Sequence, residues 1–400
     1  MFKIYCRIFQ RVFAFVSLFL PWREPNLLTG ADSIRKLPKI IASKGINPVL
    51  IVTDKQIVSL KLMDTLIDGL KQRKIRFVIY DETVPNPTIQ NIEDALKLYK
   101  SNGCKGIIAF GGGSPMDCAK AVGCRVTRPA KSIPKMKGLL KVRRKLPPLF
   151  AIPTTAGTGS EATVAAIISN PETKEKYAIN DVALIPLYAI LDPMVTVGLP
   201  QSITATTGMD ALTHAVEAYI GRSNTRKTRK MALKAIRMIF DNLYTAYNDG
   251  QNIQARENML MASYYAGYAF TRAYVGYVHA VAHSLGGFYG IPHGLANAVI
   301  LPYVLTLYGR SAEKSLAELA DTVGISKSTD SRQKKAEKFI EAVKKLNRDM
   351  NIPDKITGIR KEDIPLMAER AEHESNPLYP VPKIMNKKEL ENIYYLIDNI

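Results

Sequence analysis

Short apolar runs alternate with helix-length stretches through the first half of this 400-residue chain, and the alternation stops at Leu199. PVLIVTD (48–54), IRFVIYD (75–81) and GIIAFGG (106–112) read as strands. A helical stretch follows each: Lys55 to Arg73, Ile89 to Asn102, and one beginning near Ser114. PPLFAIPTT (147–155) begins another strand, and YAILDP (188–193) ends the series. Strands separated by helices of ten or more residues are joined by crossovers, not hairpins, and so build a parallel, doubly wound sheet. Beyond Leu199 strand signals give way to long amphipathic segments at 204–220, 226–247, 251–270, 274–287, 311–322, 331–349 and 387–399. The expected fold class is α/β plus all-α. A chain this long exceeds what one core usually supports, so the expected organisation is a helical extension (1–24), an α/β domain (25–199) and an all-helical domain (200–400).

Charge is the one unusual feature of the composition. The net charge is +19, and from Cys118 to Ser160 there is no acidic residue, while ten Lys or Arg lie between Lys120 and Lys145. The proline-bearing stretch RPAKSIPKMKGLLKVRRKLPP reads as an exposed loop, and a second basic run, RSNTRKTRKMALKAIR, begins at Arg222. Such runs suit an anionic substrate, an acidic membrane or nucleic acid, but a solvated surface explains them with fewer assumptions. No aromatic interleaving or recognition motif supports nucleic acid, so none is expected as a partner. Cys6, Cys104, Cys118 and Cys124 form no CxxC pair and no disulfide framework, which fits a reducing, cytoplasmic setting.

In MFKIYCRIFQRVFAFVSLFL, Lys3, Arg7 and Arg11 recur every four residues and form one basic stripe on an otherwise apolar helix. The run Val12–Leu20 is too short to span a bilayer, which needs about 20 apolar residues. No small-residue cleavage site follows it, as a signal peptide would require. An amphipathic helix packed on the rest of the chain or on its partner in a homodimer is expected ahead of membrane contact through residues 1–20.

Two glycine- or hydroxyl-rich loops follow strands. Gly111-Gly112-Gly113-Ser114 joins a buried-type strand to a helix, where bare backbone and the unpaired N–H groups of the helix start suit a pyrophosphate. A tight turn is the alternative for a lone triplet. Pro153-Thr154-Thr155-Ala156-Gly157-Thr158-Gly159-Ser160-Glu161 is a second such loop, readable as dinucleotide contacts or as a hydroxyl-capped helix start. Asp54 ends the first α/β strand, where a carboxylate can bond a ribose and exclude a 2′-phosphate, favouring NAD over NADP, or can cap the next helix. Only five histidines occur in the chain. Asp210 and His214 are four apart, His279 and His283 are four apart, and His293 follows shortly after. Residues four apart lie on one helix face, so Asp210, His214, His279 and His293 can supply one carboxylate and three imidazoles to Fe(II) or Zn(II).

The segments GGGSPMDCAK (111–120), PTTAGTGSE (153–161), TGMDALTHAVEAY (207–219) and HAVAHSLGGFYGIPHG (279–294) together resemble the iron-containing, metal-dependent alcohol dehydrogenase family from about Pro25 to the end of the chain. The resemblance implies a Rossmann-like dinucleotide domain, a helical metal domain and an active site in the cleft between them. It implies Asp210, His214, His279 and His293 as metal ligands and His283 as a non-ligand proton relay beside the nicotinamide. It implies cofactor contacts at Asp54, Gly111, Gly112, Gly113, Ser114, Asp117, Thr154, Thr155, Thr158 and Lys176, with Lys174 an alternative to Lys176. The implied reaction is reversible hydride transfer between a primary or secondary alcohol and NAD. The basic N-terminal helix and the basic loop 125–147 depart from the family pattern, and the loop's expected place is at the edge of the cofactor entrance. Two rivals are a same-fold enzyme acting on a polyol or phosphorylated substrate, such as a glycerol-type dehydrogenase or dehydroquinate synthase, and a non-enzymatic module binding polyanions or membranes.

Overall fold

The computed structural model describes residues 1–170 and 175–398. The chain forms two compact units. One comprises residues 21–199 and 251–264; the other comprises residues 1–20, 200–250 and 265–400. The chain begins with α1 (Phe2–Ser17), which belongs to the second of these.

The α/β unit contains β1 (Asn26–Thr29), α2 (Leu37–Ser43), β2 (Val49–Val52), α3 (Lys55–Ser59), α4 (Asp64–Gln72), β3 (Phe77–Tyr80), α5 (Ile89–Ser101), β4 (Gly106–Gly111), α6 (Gly113–Thr127), β5 (Gly138–Leu139), β6 (Leu149–Pro153), β7 (Ala165–Asn170), β8 (Glu175–Asn180) and β9 (Tyr188–Leu191). Six strands form one sheet in the order β1-β9-β6-β4-β2-β3, and every pairing in it is parallel. Side chains alternate across this sheet, and both faces are covered. Leu50, Val52, Ile107 and Ala109 join the core beneath α5 and α6, while Val49, Ile51, Ile108 and Phe110 join the core beneath α2 and α4. That is why these strands read as continuous apolar runs.

Two local features depart from the sequence reading. The helix expected over 55–73 is two helices, α3 and α4, broken where Lys61 takes a left-handed backbone with φ of 56°. A second, three-stranded sheet (β5-β8-β7) contains an antiparallel β7–β8 pair, which the parallel-sheet expectation did not include. The basic loop after α6 is ordered. Arg125 pairs with Glu93 and donates to the carbonyls of Arg128, Pro129 and Lys131, while Ile133, Met136 and Val142 are buried beneath the loop.

The helical unit continues through α7 (Gln201–Ile220), α8 (Arg226–Asn248), α9 (Ile253–Ala273, whose first turns belong to the α/β unit), α10 (Tyr277–Tyr289), α11 (His293–Tyr308), α12 (Glu313–Thr322), α13 (Arg332–Asp349), α14 (Ile364–Ser375) and α15 (Lys387–Ile397). α7 and α11 are its interior elements, with Met209, Leu212 and Val216 on one and Val299, Ile300 and Leu301 on the other fully or almost fully buried. The close approach of α7 to α8 and to α11 requires small residues. A Cβ on Gly208 would stand 2.2 Å from Leu243 Cδ1 of α8, and one on Gly294 would stand 2.5 Å from the Thr206 carbonyl oxygen of α7. Gly294 directly follows His293, so this contact fixes where that histidine sits.

Candidate metal centre and cofactor loops

In the helical unit, Asp210 and His214 lie one turn apart on α7, His279 lies on the first turn of α10, and His293 is the first residue of α11. One ligand atom from each falls within 4.8 Å of all the others. His293 Nε2 and His279 Nε2 lie 3.5 Å and 3.9 Å from Asp210 Oδ1, and His214 Nδ1 lies 4.0 Å from Asp210 Oδ2. Donors bound at ~2.1 Å to one ion stand ~3 to ~4 Å apart, so the three separations from the Asp210 carboxylate match a shared metal.

The surroundings favour a cation at that point. Asn297, fully buried and one turn beyond His293, donates from Nδ2 to Asp210 Oδ1 at 2.6 Å, with His293 Nε2 and His279 Nε2 at 3.1 Å and 3.3 Å. A carboxylate oxygen and two imidazole nitrogens thus converge around one amide nitrogen. Behind His279, Glu217 Oε2 stands 2.6 Å from Nδ1. This contact places the imidazole proton on Nδ1 and turns the Nε2 lone pair toward Asp210. Glu217 also accepts from the Gly276 N–H at 2.8 Å and the Val278 N–H at 2.9 Å. Gly276 leaves the space for it: a Cβ there would lie 2.6 Å from Glu217 Oε1. Burial raises the Glu217 carboxyl to about 7 against the pull of these N–H groups, and burial pushes His279 well below its ordinary value.

His283 is the neighbour of this cluster. Its ring stacks on that of His293 at 5.2 Å, and its Nδ1 lies 2.6 Å from Glu374 Oε1 on α14. The Tyr379 hydroxyl donates to the same carboxylate oxygen at 2.7 Å. Burial opposes the charged form of Glu374, but His283 and these hydrogen bonds hold its carboxyl below the ordinary value. With Nδ1 engaged, Nε2 is the nitrogen left to exchange a proton.

Glu217, Asn297 and Glu374 were not anticipated from sequence. Two of them carried a signal: Glu217 is seven residues beyond Asp210 on the same helix face, and Asn297 is four beyond His293. Glu374 carried none, being 91 residues from the histidine it meets.

In the α/β unit, the expected cofactor residues gather at the carboxyl ends of adjacent strands. Val52 registers with Ala109 and Gly111 with Pro153, which brings Asp54, the glycine triplet and the Thr154–Thr158 loop to one edge. That edge is where strand order reverses between β2 and β4, the position at which open α/β sheets bind ligands. Gly111 has a φ of 149°, and a Cβ on it would lie 2.6 Å from Pro115. A Cβ on Gly113 would lie 2.8 Å from Thr158, and one on Gly112 3.4 Å from Thr155, so the two loops lie against each other. The Thr154 N–H donates to the Gly111 carbonyl at 3.1 Å.

The remaining expected contacts also have structural partners. Asp54 caps α3 by accepting from the Ile57 N–H at 2.9 Å. Ser114 Oγ accepts from the Asn86 N–H at 3.1 Å, and Lys176 Nζ donates to Asn86 Oδ1 at 2.6 Å, so Asn86 links the two near the start of α6. Lys174 lies outside the described residues. Asp117 accepts from Ser160 Oγ and the Ile167 N–H, each at 3.1 Å, tying α6 to the second loop. Lys120, fully buried one turn on, donates to Ser160 Oγ, Thr163 Oγ1 and the Thr163 and Ala165 carbonyls. Burial raises Asp117 to about 6 and Glu161 to about 7, and lowers Lys120 to about 8.

Comparison with known proteins gives one answer along the chain. Residues 25–193 match the family model described as iron-containing alcohol dehydrogenase, and residues 204–397 match the C-terminal model of the Fe-containing alcohol dehydrogenase family. The 1,3-propanediol dehydrogenase of Klebsiella pneumoniae is 40% identical over 375 residues, 92% of this chain and 96% of that protein. An alcohol dehydrogenase structure from Oenococcus oeni superposes with a TM-score of 0.91 at 36% identity, over 94% of this chain and 100% of that one. A sulfoacetaldehyde reductase from Bifidobacterium kashiwanohense, solved with NAD+, gives a TM-score of 0.83 at 26% identity, over 95% of this chain and 98% of that one. The chain belongs to the iron-containing alcohol dehydrogenase family.

Proposed function

We propose that this chain interconverts a small primary or secondary alcohol with its aldehyde or ketone, with NAD as hydride carrier and one divalent metal, Fe(II) before Zn(II). The metal-dependent alcohol dehydrogenase reaction follows from family membership. The observation that carries the local assignment is the convergence of Asp210, His214, His279 and His293 within 4.8 Å. When bound, the metal polarises the alcohol C–O group and the nicotinamide exchanges the hydride.

The chain's own residues do the rest. Asp210, His214, His279 and His293 hold the ion, with His279 aimed by Glu217 and Asp210 by Asn297. Gly111, Gly112 and Gly113 let a pyrophosphate approach the N-terminus of α6, and Thr154, Thr155 and Thr158 pack beside them. Asp54 caps α3 through Oδ1 and stands at the strand end, where its other oxygen would meet a ribose and select NAD over NADP. His283, oriented by Glu374, passes the alcohol proton through Nε2. Asp117 supports the loop from beneath, and Lys176 stands near it through Asn86. Four free, buried cysteines suit a reducing compartment, for which we propose the cytoplasm.

The test is anaerobic purification followed by NADH oxidation over a panel of aldehydes and ketones. Metal-dependent turnover with at least one short-chain aldehyde is the expected result. NADH that fails to bind, or turnover with none of the panel, overturns the proposal. A phosphorylated aldehyde turned over in strong preference to its neutral analogue favours the rival reading.

A further inference from the structure

The N-terminal helix is attached the wrong way round for an ordinary surface helix. α1 meets the helical unit through its polar side: Arg7 donates to the Val381 and Pro382 carbonyls at 2.7 Å and 2.9 Å, and Gln10 to the Pro377 and Tyr379 carbonyls at 3.1 Å and 2.7 Å. Cys6 is fully buried on that side, and Phe13 meets Tyr274 edge-on at 5.4 Å. The opposite side carries Ile4, Ile8, Val12, Phe15 and Phe19, which are 57% to 74% exposed. Surface helices normally turn such a stripe inward, and a contiguous exposed apolar strip marks a binding surface. The hydrogen bonds of Arg7 and Gln10 prevent the helix from rolling over to bury it.

We propose that this face binds an anionic phospholipid surface, with α1 lying flat in the headgroup region. Charge is the first argument. α1 carries no acidic side chain; Arg7 is held on the protein side, Lys3 and Arg11 are exposed, and the whole chain carries +19. Arg11 borders the apolar strip, placed to reach headgroup phosphates while its neighbours enter the acyl boundary. Shape is the second argument. The strip runs along one side of a single helix of sixteen residues, about 24 Å long, and onto Phe19 just beyond it, too short to span a bilayer but suited to lie in its surface. A second copy of the chain fits less well. In a two-fold antiparallel pairing of Ile4–Phe19 the midpoint falls between Arg11 and Val12, so Arg11 meets its own copy. Parallel pairing sets Lys3 on Lys3 and Arg11 on Arg11, with no acid on either helix to compensate.

The test is flotation of the full-length protein with vesicles of equal parts phosphatidylcholine and phosphatidylglycerol, and with phosphatidylcholine alone. The wild type is expected to float with the anionic vesicles, less with the neutral ones, and to be released by salt. Ile8→Asp with Val12→Asp is expected to lose binding about tenfold or more, with circular dichroism and NADH oxidation unchanged. Arg11→Glu, which keeps the apolar strip, is expected to weaken binding to anionic vesicles only. Wild type that floats with neither vesicle overturns the proposal, as does binding that survives the double substitution. A fall in oligomeric state on that substitution, read by sedimentation velocity, assigns the face to a second copy and also overturns it.

Discussion

Replacing Glu217 by Gln is expected to weaken metal binding without touching any metal ligand. The carboxylate accepts from three donors: the Gly276 N–H at 2.8 Å, the Val278 N–H at 2.9 Å and the His279 Nδ1–H at 2.6 Å. Glutamine keeps a single acceptor oxygen, so its NH2 group must face at least one of those donors. Either His279 loses the bond that fixes its tautomer and direction, or a buried backbone N–H goes unpaired at about 1–3 kcal/mol. Loss of such a histidine-orienting group costs about 10–100-fold in metal affinity, or about 1.4–2.7 kcal/mol. The assay strips the protein with a chelator and titrates Co(II) or Zn(II) against an indicator dye at fixed pH, with thermal unfolding of the apo-protein run alongside. The expected result is a rise in Kd of at least about tenfold with the protein still folded, and a smaller rise for Glu217→Asp, which keeps the charge. A folded Glu217→Gln variant with wild-type metal affinity would refute the role given to this carboxylate.

Three further outcomes follow from the same geometry. His283→Ala should retain one metal per chain and lose kcat by about a hundredfold or more; loss of the metal instead would make His283 a ligand. Gly294→Ala should force a Cβ against the Thr206 carbonyl, 2.5 Å away in the present backbone, and so displace His293. It should cost about 1–3 kcal/mol in urea unfolding and also weaken metal binding; a fully stable variant would show that α7 and α11 yield more easily than their packing indicates. Glu161, raised to about 7 by burial, holds its proton more tightly folded than unfolded, so its contribution to stability falls as pH rises from its ordinary value of 4.5 through 7. Relative to wild type, Glu161→Gln should therefore become more stable across that range in urea titrations. A pH-independent difference would show that this carboxyl titrates normally.

What could be read in the sequence had a repeating physical cause. Strands β2, β3, β4, β6 and β9 are apolar runs because the main sheet is covered on both faces, and the helices between them follow from parallel pairing. The convergence of Asp210, His214, His279 and His293 was readable because helix periodicity sets Asp210 with His214, and the short step from α10 to α11 returns His293 to the same point. α11 was missed for the opposite reason. Its residues are apolar on nearly every side, so no amphipathic period marks it, although it carries His293 of the proposed site. The β7–β8 pair and the break at Lys61 depend on local backbone geometry that residue type only weakly constrains. The α1 stripe was visible, but which side faced the protein was not, because that depends on carbonyls of residues 377–382 more than 360 positions away.

Titration of the metal-free protein with Fe(II) under anaerobic conditions, followed by NADH oxidation with a short-chain aldehyde, bears most directly on the metal-centred reading. Activity should be absent in the stripped protein and rise to a break at one ion per chain. Asp210→Ala and His279→Ala should give neither the break nor the activity. Full turnover in the chelated protein, or an unchanged titration in either variant, would contradict the assignment of Asp210, His214, His279 and His293 as one catalytic metal site.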